Sequence, residues 1–263
     1  MSVARLGAVL LGLIIAVSPA RAQTERVIDV VTRPGVTERL LLIETPGAKA
    51  TVILFAGGHG GLQIAPNGKI GWGAGNFLVR TREMLAAQGL NVSTLDAPSD
   101  RQSEPFLNGF RQSKNHAADA RAVIAHLRQQ LAVPVWLMGT SNGTLSTAFL
   151  ATELPRESGG PDGIVLTSSI LTTKTGRPVT GMPLQFIKVP VLVVHHKEDA
   201  CDHCRQADLP LLTGKLTGTP RKALLMFEGG SVRNADPCEA FTHHGYMGIE
   251  PDVIAKIAAW IAG

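Results

Sequence analysis

The chain has 263 residues, of which 44% are hydrophobic and 17% charged, and its formal net charge is +4. This length is enough for one sizeable hydrophobic core and short for two separate domains. The basic residues form no stripe of the kind that binds a phosphate backbone, so the sequence argues against a nucleic-acid partner.

The beginning of the chain has the organisation of a secretory signal peptide. Arg5 precedes an uncharged apolar run over residues 6–17, and Ala20 and Ala22 supply small residues at the two positions that a signal peptidase reads. We therefore predict a signal over residues 1–22 and a mature chain over residues 23–263 that is periplasmic or secreted. The alternative is an uncleaved anchor, but the apolar run is short for a span, which needs about 20 residues. The mature protein is thus expected to have no stable membrane anchor.

After the signal, the hydrophobic patterns predict strands that alternate with helices. Continuous or alternating apolar runs predict the strands, and a 3.6-residue period predicts the helices. The predicted strands cover residues 26–31, 38–44, 50–56, 90–98, 134–138, 162–169, 189–196 and 221–227. The predicted helices cover residues 75–89, 113–130, a segment that ends at about 153, and 250–262.

This order of elements, with short connections, implies an α/β fold with a mostly parallel central sheet of about eight strands and helices on both faces. We expect a single domain over residues 23–263 without a large cap domain. The longest irregular stretch, residues 171–186, is interpreted as a lid-like loop. Residues 96–113 follow a strand at the expected catalytic edge, and we interpret them as pocket lining. Phe106 and Phe110 are either apolar walls of that pocket or core residues.

Residues 139–143 read GTSNG and match the pattern G-x-S-x-G, between a predicted strand and a predicted helix. In this context the pattern predicts a sharp turn that exposes a nucleophilic Ser141. The flanking glycines avoid collisions with neighbouring elements, and the helix N-terminus favours developing negative charge. The alternative is an ordinary glycine-rich turn between a strand and a helix.

A serine hydroxyl needs a base to accept its proton, and the base needs a group that orients it. Asp199 follows the predicted strand 189–196, where an orienting acid is expected. Glu198 and Asp202 are rival candidates in the same loop, and any one of the three carboxylates can instead be a solvated loop residue.

The general base is expected in the loop after the last predicted strand, which contains adjacent His243 and His244. We favour His244 because Gly245 follows it and lets the backbone approach closely. The alternative is a pair of surface histidines. His116, within a predicted helix, is expected to be a structural hydrogen-bonding group.

A tetrahedral oxyanion needs two backbone N–H donors. The residue after the nucleophile, Asn142, is expected to supply one of them. The second is expected from the glycine-rich loop after strand 50–56, with Gly58 as the first choice and His59 as the second. The alternative for this loop is a plain glycine turn.

The sequence contains three cysteines, Cys201, Cys204 and Cys238, all in its last quarter. Since disulfides form in exported proteins, two of the three are expected to pair and one to remain free.

With these residues located, the chain resembles the α/β-hydrolase superfamily and, within it, the small exported bacterial proteins of the dienelactone-hydrolase-like or generic α/β-hydrolase kind. The resemblance covers about residues 51–260. It implies the α/β-hydrolase fold, with Ser141 as nucleophile, Asp199 as acid and His244 as base. The glycine-rich loop of this chain lacks the HGGG form of many esterases, so the resemblance leaves the substrate class open. The motifs are FAGGHGG, NFLVRTRE, DAPSD, VWLMGTSNGT, VLVVHHKEDAC and DPCEAFTHHGYMGIE.

In terms of this resemblance, Cys201 lies beside the acid Asp199, and Cys238 lies in the loop that contains the base His244. A Cys201–Cys238 disulfide would tie those two loops together and hold their geometry. A Cys204–Cys238 bridge and a local Cys201–Cys204 bridge are the alternatives. A zinc site is a further alternative, since cysteines and histidines are zinc ligands, but C-D-H-C is only half of such a site.

The function expected from these observations is that of a serine hydrolase acting on esters or similar small acyl substrates, with no cofactor and no metal. Its partner would be a small-molecule acyl substrate, while the oligomeric state is unknown. The alternatives are a non-catalytic binding protein on a hydrolase scaffold, and a peptidase or acyltransferase that uses the same triad.

Overall fold

A computed structural model describes residues 23–174 and 176–263. The predicted signal over residues 1–22 lies outside the described residues. All eight strands join in one sheet with the order β1-β2-β4-β3-β5-β6-β7-β8. The β1–β2 and β2–β4 pairs are antiparallel and every other pair is parallel. The strands are β1 Thr24–Arg33, β2 Val36–Glu44, β3 Thr51–Phe55, β4 Asn91–Pro98, β5 Val135–Ser141, β6 Gly163–Ser169, β7 Val191–His196 and β8 Lys222–Phe227.

Six α-helices lie in the described part of the chain. They are α1 Phe77–Arg80, α2 Arg82–Ala87, α3 Lys114–Leu131, α4 Gly143–Glu153, α5 Leu209–Lys215 and α6 Glu250–Ala262. The single helix predicted over residues 75–89 is two short helices that meet at Thr81. The hydroxyl of Thr81 donates to the carbonyl of Phe77 at 2.7 Å, a local bond of the kind that bends helices. Helix α5 was not predicted.

The central strands of the sheet, β3 to β7, are buried on both faces, whereas the edge strands β1 and β8 are partly exposed. Along β5, Val135 and Leu137 pack into one core with α3 and α4, whereas Trp136 and Met138 pack into a second core with α1, α2 and α6. A strand covered on both faces needs apolar residues at every position, which explains its continuous apolar run. The predicted fold class, with helices on both faces, is confirmed.

The fold brings the loops that follow β3, β5, β7 and β8 to one edge of the sheet. Parallel strands place all their carboxyl ends at the same edge, where ligands bind in open α/β sheets. No large cap domain is inserted within residues 23–174 and 176–263. Across those same residues, no helix is long and apolar enough to span a membrane.

His116, on α3, differs from its predicted role. It is buried, it lies edge-on to Phe55 and Phe110, and neither of its ring nitrogens bonds to another described residue. Burial, with a further contribution from the nearby charge of Arg111, lowers the pKa of His116 to about 3. It is therefore a neutral packing residue rather than a hydrogen-bonding one.

Glu38 on β2 carries a buried carboxyl group next to other charges. One of its oxygens makes no hydrogen bond to a described residue, and Arg33 beside it is already paired with Asp119 and Asp100. Burial, and then the charge of Asp119, raises the pKa of Glu38 well above its ordinary value of 4.5. The folded protein therefore holds Glu38 neutral at a pH at which the unfolded chain ionises it.

A Glu38→Gln variant is expected to gain stability relative to the wild type as the pH rises. The raised pKa makes the wild type lose stability from about pH 4.5 upward, through the pKa of the folded state, whereas glutamine does not titrate. The expected gain at pH 8 relative to pH 4 is roughly 1–3 kcal/mol. Denaturant unfolding of both proteins across this range measures it, and parallel pH profiles would contradict it.

Candidate active site

Ser141 lies at the end of β5, on a strained turn into α4. Its φ of 51° is in the left-handed region, which a residue with a side chain rarely adopts. Both flanking glycines are sterically required. A Cβ at Gly139 would collide with the carbonyl of Gly143, and one at Gly143 with the carbonyl of Phe55. The local structure of the predicted nucleophile turn is therefore the one that G-x-S-x-G describes.

Asp199 and His244 form a buried hydrogen-bonded pair. Nδ1 of His244 lies 2.9 Å from Oδ2 of Asp199, and both side chains are almost fully buried. The other carboxylate oxygen, Oδ1, accepts the backbone N–H of Cys201 at 3.0 Å, which fixes the orientation of the carboxylate. The acid therefore reaches the imidazole from the loop after β7, while the imidazole comes from the loop after β8.

The rival candidates lie elsewhere. The ring of His243 stacks on that of His196 at a centroid distance of 4.5 Å, and its Nε2 is 3.9 Å from the Glu198 carboxylate. Asp202 is exposed. Neither Glu198 nor Asp202 forms a hydrogen bond with His244 within the described part of the chain.

A cavity of about 280 Å³ lies between the serine turn and the Asp199–His244 pair. Ser141 and His244 both line it, together with Trp72 and Phe241 as its large apolar walls. Nε2 of His244, the nitrogen not turned to Asp199, is buried and bonds to no described residue, including Ser141. Catalytic hydrogen bonds are often long in free enzymes and tighten when substrate binds. The arrangement thus offers an oriented imidazole with one nitrogen unengaged in the cavity of the serine.

The glycine loop after β3 lies against the serine. A Cβ on Gly57 would come within 3.0 Å of the Ser141 Cβ, so only glycine permits this approach. Gly58 lines the cavity with a φ of 58°, and its N–H bonds to no other described residue. Its carbonyl accepts from Asn142 Nδ2 and Arg111 Nη2, each at 3.2 Å. The oxyanion roles of the Gly58 and Asn142 amides stay predictions.

Asp96, at the end of β4, is a positioning residue that the sequence reasoning missed. Its buried carboxylate accepts the backbone N–H groups of Leu62, Gln63, Ile64 and Ala97 at distances between 2.7 and 3.0 Å. These bonds hold the glycine loop against the sheet. The available signal was a lone carboxylate within a strand that is otherwise apolar enough to be buried.

Within residues 96–113, the structure separates the two phenylalanines from the residues between and after them, since Leu107, Gly109 and Arg111 line a second cavity beside the serine turn. Phe106 stacks on the ring of His59 at 4.2 Å, and His59 in turn contacts Trp72 at 3.6 Å. Phe110 packs with Ala97 in a small satellite core. Neither phenylalanine lines the serine cavity, and both act as packing residues behind the loop.

The structure joins Cys201 to Cys238, the pairing that the resemblance implied. The bridge links the loop that holds Asp199 to the loop that leads to His244. Cys204 is free and buried, and its Sγ donates to the carbonyl of Ser168 at 3.3 Å. Burial, and then the charge of Asp199, raises the pKa of the Cys204 thiol well above its ordinary value. With two cysteines bridged and His244 Nδ1 turned to Asp199, this cluster offers a zinc ion fewer ligands than the sequence suggested.

Removing the bridge in a Cys201→Ser/Cys238→Ser variant is expected to lower the free energy of unfolding by about 2–4 kcal/mol. The bridge closes a chain segment of 37 residues, so its loss frees the unfolded chain and loosens the loops that hold Asp199 and His244. Denaturant unfolding with and without dithiothreitol measures the effect. Reductant should destabilise the wild type and a Cys204→Ala control, but not the double variant; a wild type indifferent to reductant would contradict the prediction.

At the level of sequence, no family model and no curated protein matches the chain. Solved structures do match. A dienelactone hydrolase from Anabaena variabilis shares 15% identity at a TM-score of 0.60, covering 90% of this chain and 96% of that one. An esterase from Pyrococcus furiosus shares 13% identity at a TM-score of 0.62, covering 92% and 94%. A lidless α/β serine hydrolase from Xanthomonas campestris shares 13% at 0.54, covering 93% and 94%. The chain therefore has the α/β-hydrolase fold, as predicted.

Proposed function

We propose that the protein is a serine hydrolase that cleaves esters or similar small acyl substrates. One observation carries the proposal: the buried Asp199–His244 hydrogen bond leads to the cavity in which Ser141 stands on its strained turn. Acyl-transfer enzymes have this arrangement, in which a nucleophile, a base and an orienting acid stand on three separate strand-end loops. The named activities of the structural neighbours, a dienelactone hydrolase and esterases, agree with it.

In the proposed mechanism, His244 donates its Nδ1 proton to the hydrogen bond with Asp199, which leaves Nε2 unprotonated. Nε2 takes the hydroxyl proton as Ser141 attacks the substrate carbonyl. The backbone N–H groups of Asn142 and Gly58 hold the oxyanion of the tetrahedral intermediate. His244 then returns the proton to the leaving group, and water hydrolyses the acyl-enzyme by the same steps. Side chains and backbone of this chain carry every step.

The cavity limits the group that can lie beside His244. Its volume of about 280 Å³ is at the small end of the range for ligand sites, and Trp72 and Phe241 narrow it. We therefore propose small leaving groups rather than long lipids as the natural chemistry.

A fluorophosphonate probe tests the proposal, because it bonds only to an activated serine. Peptide mapping is expected to find the label on Ser141 in the folded wild type and none in Ser141→Ala. Turnover of p-nitrophenyl acetate completes the test, and added alcohol acceptors separate transfer from hydrolysis. A folded wild type that takes no label and turns over no ester would instead be a binding protein on a hydrolase scaffold.

We also propose that the mature protein is exported. The structure contains a disulfide, and none of the described helices is long and apolar enough to span a membrane. Both observations are compatible with an oxidising compartment. Sequencing the N-terminus of the mature protein is expected to find Gln23 first, and an intact Met1 would refute cleavage after Ala22.

A further inference from the structure

A second and larger cavity, of about 570 Å³, adjoins the serine turn. Three of its lining residues carry basic side chains, namely Arg111, Lys174 and Arg177, and His203 lines it as well. Among the described residues, no aspartate or glutamate lines it. Apolar residues, including Leu107, Leu145 and Ile170, form much of the remaining wall.

Arg111 places a positive charge beneath this cavity without a carboxylate partner. Its guanidinium is buried and donates to Ser146 Oγ at 3.0 Å and to the carbonyls of Ala56 and Gly58 at 3.1 and 3.2 Å, all neutral acceptors. Its Nε has no acceptor among the described residues. By contrast, Arg33 bonds two carboxylates. Burial lowers the pKa of Arg111 to about 9, so the side chain still carries its charge at neutral pH.

Lys174 and Arg177 add two exposed charges at the rim. Neither forms an ion pair with an acidic residue in the described part of the chain, and the Arg177 Nε donates instead to the Gln112 amide oxygen at 3.0 Å. A cleft lined by charges of one sign, above apolar walls, concentrates ligands of the opposite sign.

The two cavities meet at the catalytic turn. Ser141 and His244 line the first, and Asn142 lines the second. Asn142 and Arg111 donate to the same carbonyl, that of Gly58, which marks the border between the cavities. Because His244 returns a proton to the leaving group, the leaving group must lie in the first cavity. The acyl chain then runs past Asn142 into the second.

We propose that the acyl part of the substrate ends in a carboxylate, as in a monoester of a dicarboxylic acid, and that the basic cavity beside Asn142 binds this carboxylate. The inference rests on the proposed function, since it assigns the substrate class of the same site. Lys174 and Arg177 contact the carboxylate at the rim, and Arg111 supplies positive potential from below.

Two esters that differ only in the end of the acyl chain test the proposal: p-nitrophenyl hydrogen glutarate and p-nitrophenyl valerate. The anionic ester is expected to have a kcat/KM about tenfold higher at low salt, an advantage that salt reduces. A Lys174→Gln/Arg177→Gln variant is expected to lose this advantage, so that its kcat/KM for the glutarate ester falls to the level of its kcat/KM for the valerate ester. Equal kcat/KM values for the two esters, or an advantage that survives the double variant, would overturn the proposal.

The matched control is Arg121→Gln/Lys188→Gln, which removes two exposed positive charges away from the cavity. Arg121, on α3, lies beside Gly159 in the connection that leads into β6, and Lys188 lies in the connection that leads into β7, where it bonds the carbonyl of Gln185. Both connections are at the opposite edge of the sheet, where these strands begin. This variant is expected to keep the preference for the anionic ester. If it loses the preference as well, net charge alone explains the effect and the proposal fails.

A binding measurement separates this inference from the proposed function. Calorimetry with monoethyl glutarate and ethyl valerate is done on Ser141→Ala, which cannot be acylated. Binding of the glutarate alone, weakened by the Lys174→Gln/Arg177→Gln substitutions, supports the anion site even if no ester is ever turned over. If esters are hydrolysed but glutarate binds no better than valerate, the hydrolase stands and the anion site is refuted.

Discussion

A Ser141→Ala variant is expected to lower kcat for p-nitrophenyl acetate by about 10⁴–10⁶-fold while the protein stays folded. The substitution removes the only atom that forms the acyl-enzyme and leaves the cavity and its amides in place. KM should therefore change little, since substrate binding does not depend on the hydroxyl. Alanine also relieves none of the backbone strain, because its Cβ meets the same left-handed φ of 51°.

The matched control is Ser169→Ala. Ser169 is paired with Ser141 in the β5–β6 register, it is buried, and its hydroxyl bonds to no other described residue. Its removal should leave kcat within about twofold, since its hydroxyl forms no hydrogen bond with the residues of the proposed machinery. Comparable losses in the two variants, or a Ser141→Ala protein with more than a tenth of wild-type kcat, would remove the serine from the mechanism.

The strands could be predicted because burial determines the residue types within each strand, independently of the rest of the fold. β5 and β7 are covered on both faces and begin with four consecutive apolar residues each, and such runs are visible without any tertiary information. The two short helices α1 and α2 were merged because the break at Thr81 depends on one side-chain bond, which leaves the periodicity intact. Helix α5, of seven residues, is too short to show a clear period.

The candidate site could be predicted as an order of loops, but only in part as a set of contacts. The chain order serine, acid, histidine is read directly from the motifs, and parallel strands bring such loops to one edge. The sequence favoured Asp199 and kept Glu198 and Asp202 as rivals, because any of the three carboxylates of that loop also suits a solvated position. The structure separates them by burial: Asp199 is enclosed and Glu198 is exposed.

The supporting residues could not be predicted, since their partners are distant in sequence. Asp96 bonds four backbone N–H groups, three of them more than 30 residues away, and Arg111 reaches the carbonyl of Ala56 across 55 residues. The apolar strand around Asp96 indicates that its carboxylate is buried but not which groups it bonds, and nothing in the local pattern distinguishes Arg111 from a surface charge. The same reason led Phe106 and Phe110 to be considered as cavity walls, although they pack behind the glycine loop.

Three structural features support the loops of the proposed site. Asp96 fixes the glycine loop, the Cys201–Cys238 bridge joins the acid loop to the base loop, and the absence of a Cβ at Gly139 and Gly143 allows the serine turn to pack closely against its neighbours. A site that must keep its geometry to within about half an ångström needs such support. The strain at Ser141 persists because these surroundings leave the turn no alternative conformation.

An Asp199→Asn variant is expected to lower kcat by about 10⁴-fold without unfolding the protein. The reason lies in the second hydrogen bond of the carboxylate. Oδ1 accepts the Cys201 N–H, so the oxygen of asparagine keeps that position and its NH₂ group turns to His244. The imidazole must then accept at Nδ1 and carry its proton on Nε2, where it cannot take the proton of Ser141.

Esterase kinetics and the rate of fluorophosphonate labelling measure this effect, and both are expected to fall together because both require the base. Asp202→Asn is the matched control: it makes the same chemical change on an exposed residue three positions further along the loop, and it should keep wild-type rates. Since the tautomer argument applies only to the carboxylate that bonds His244, an Asp199→Asn protein within tenfold of wild type would show that this aspartate does not orient the base. Equal losses at both positions would instead point to damage to the loop.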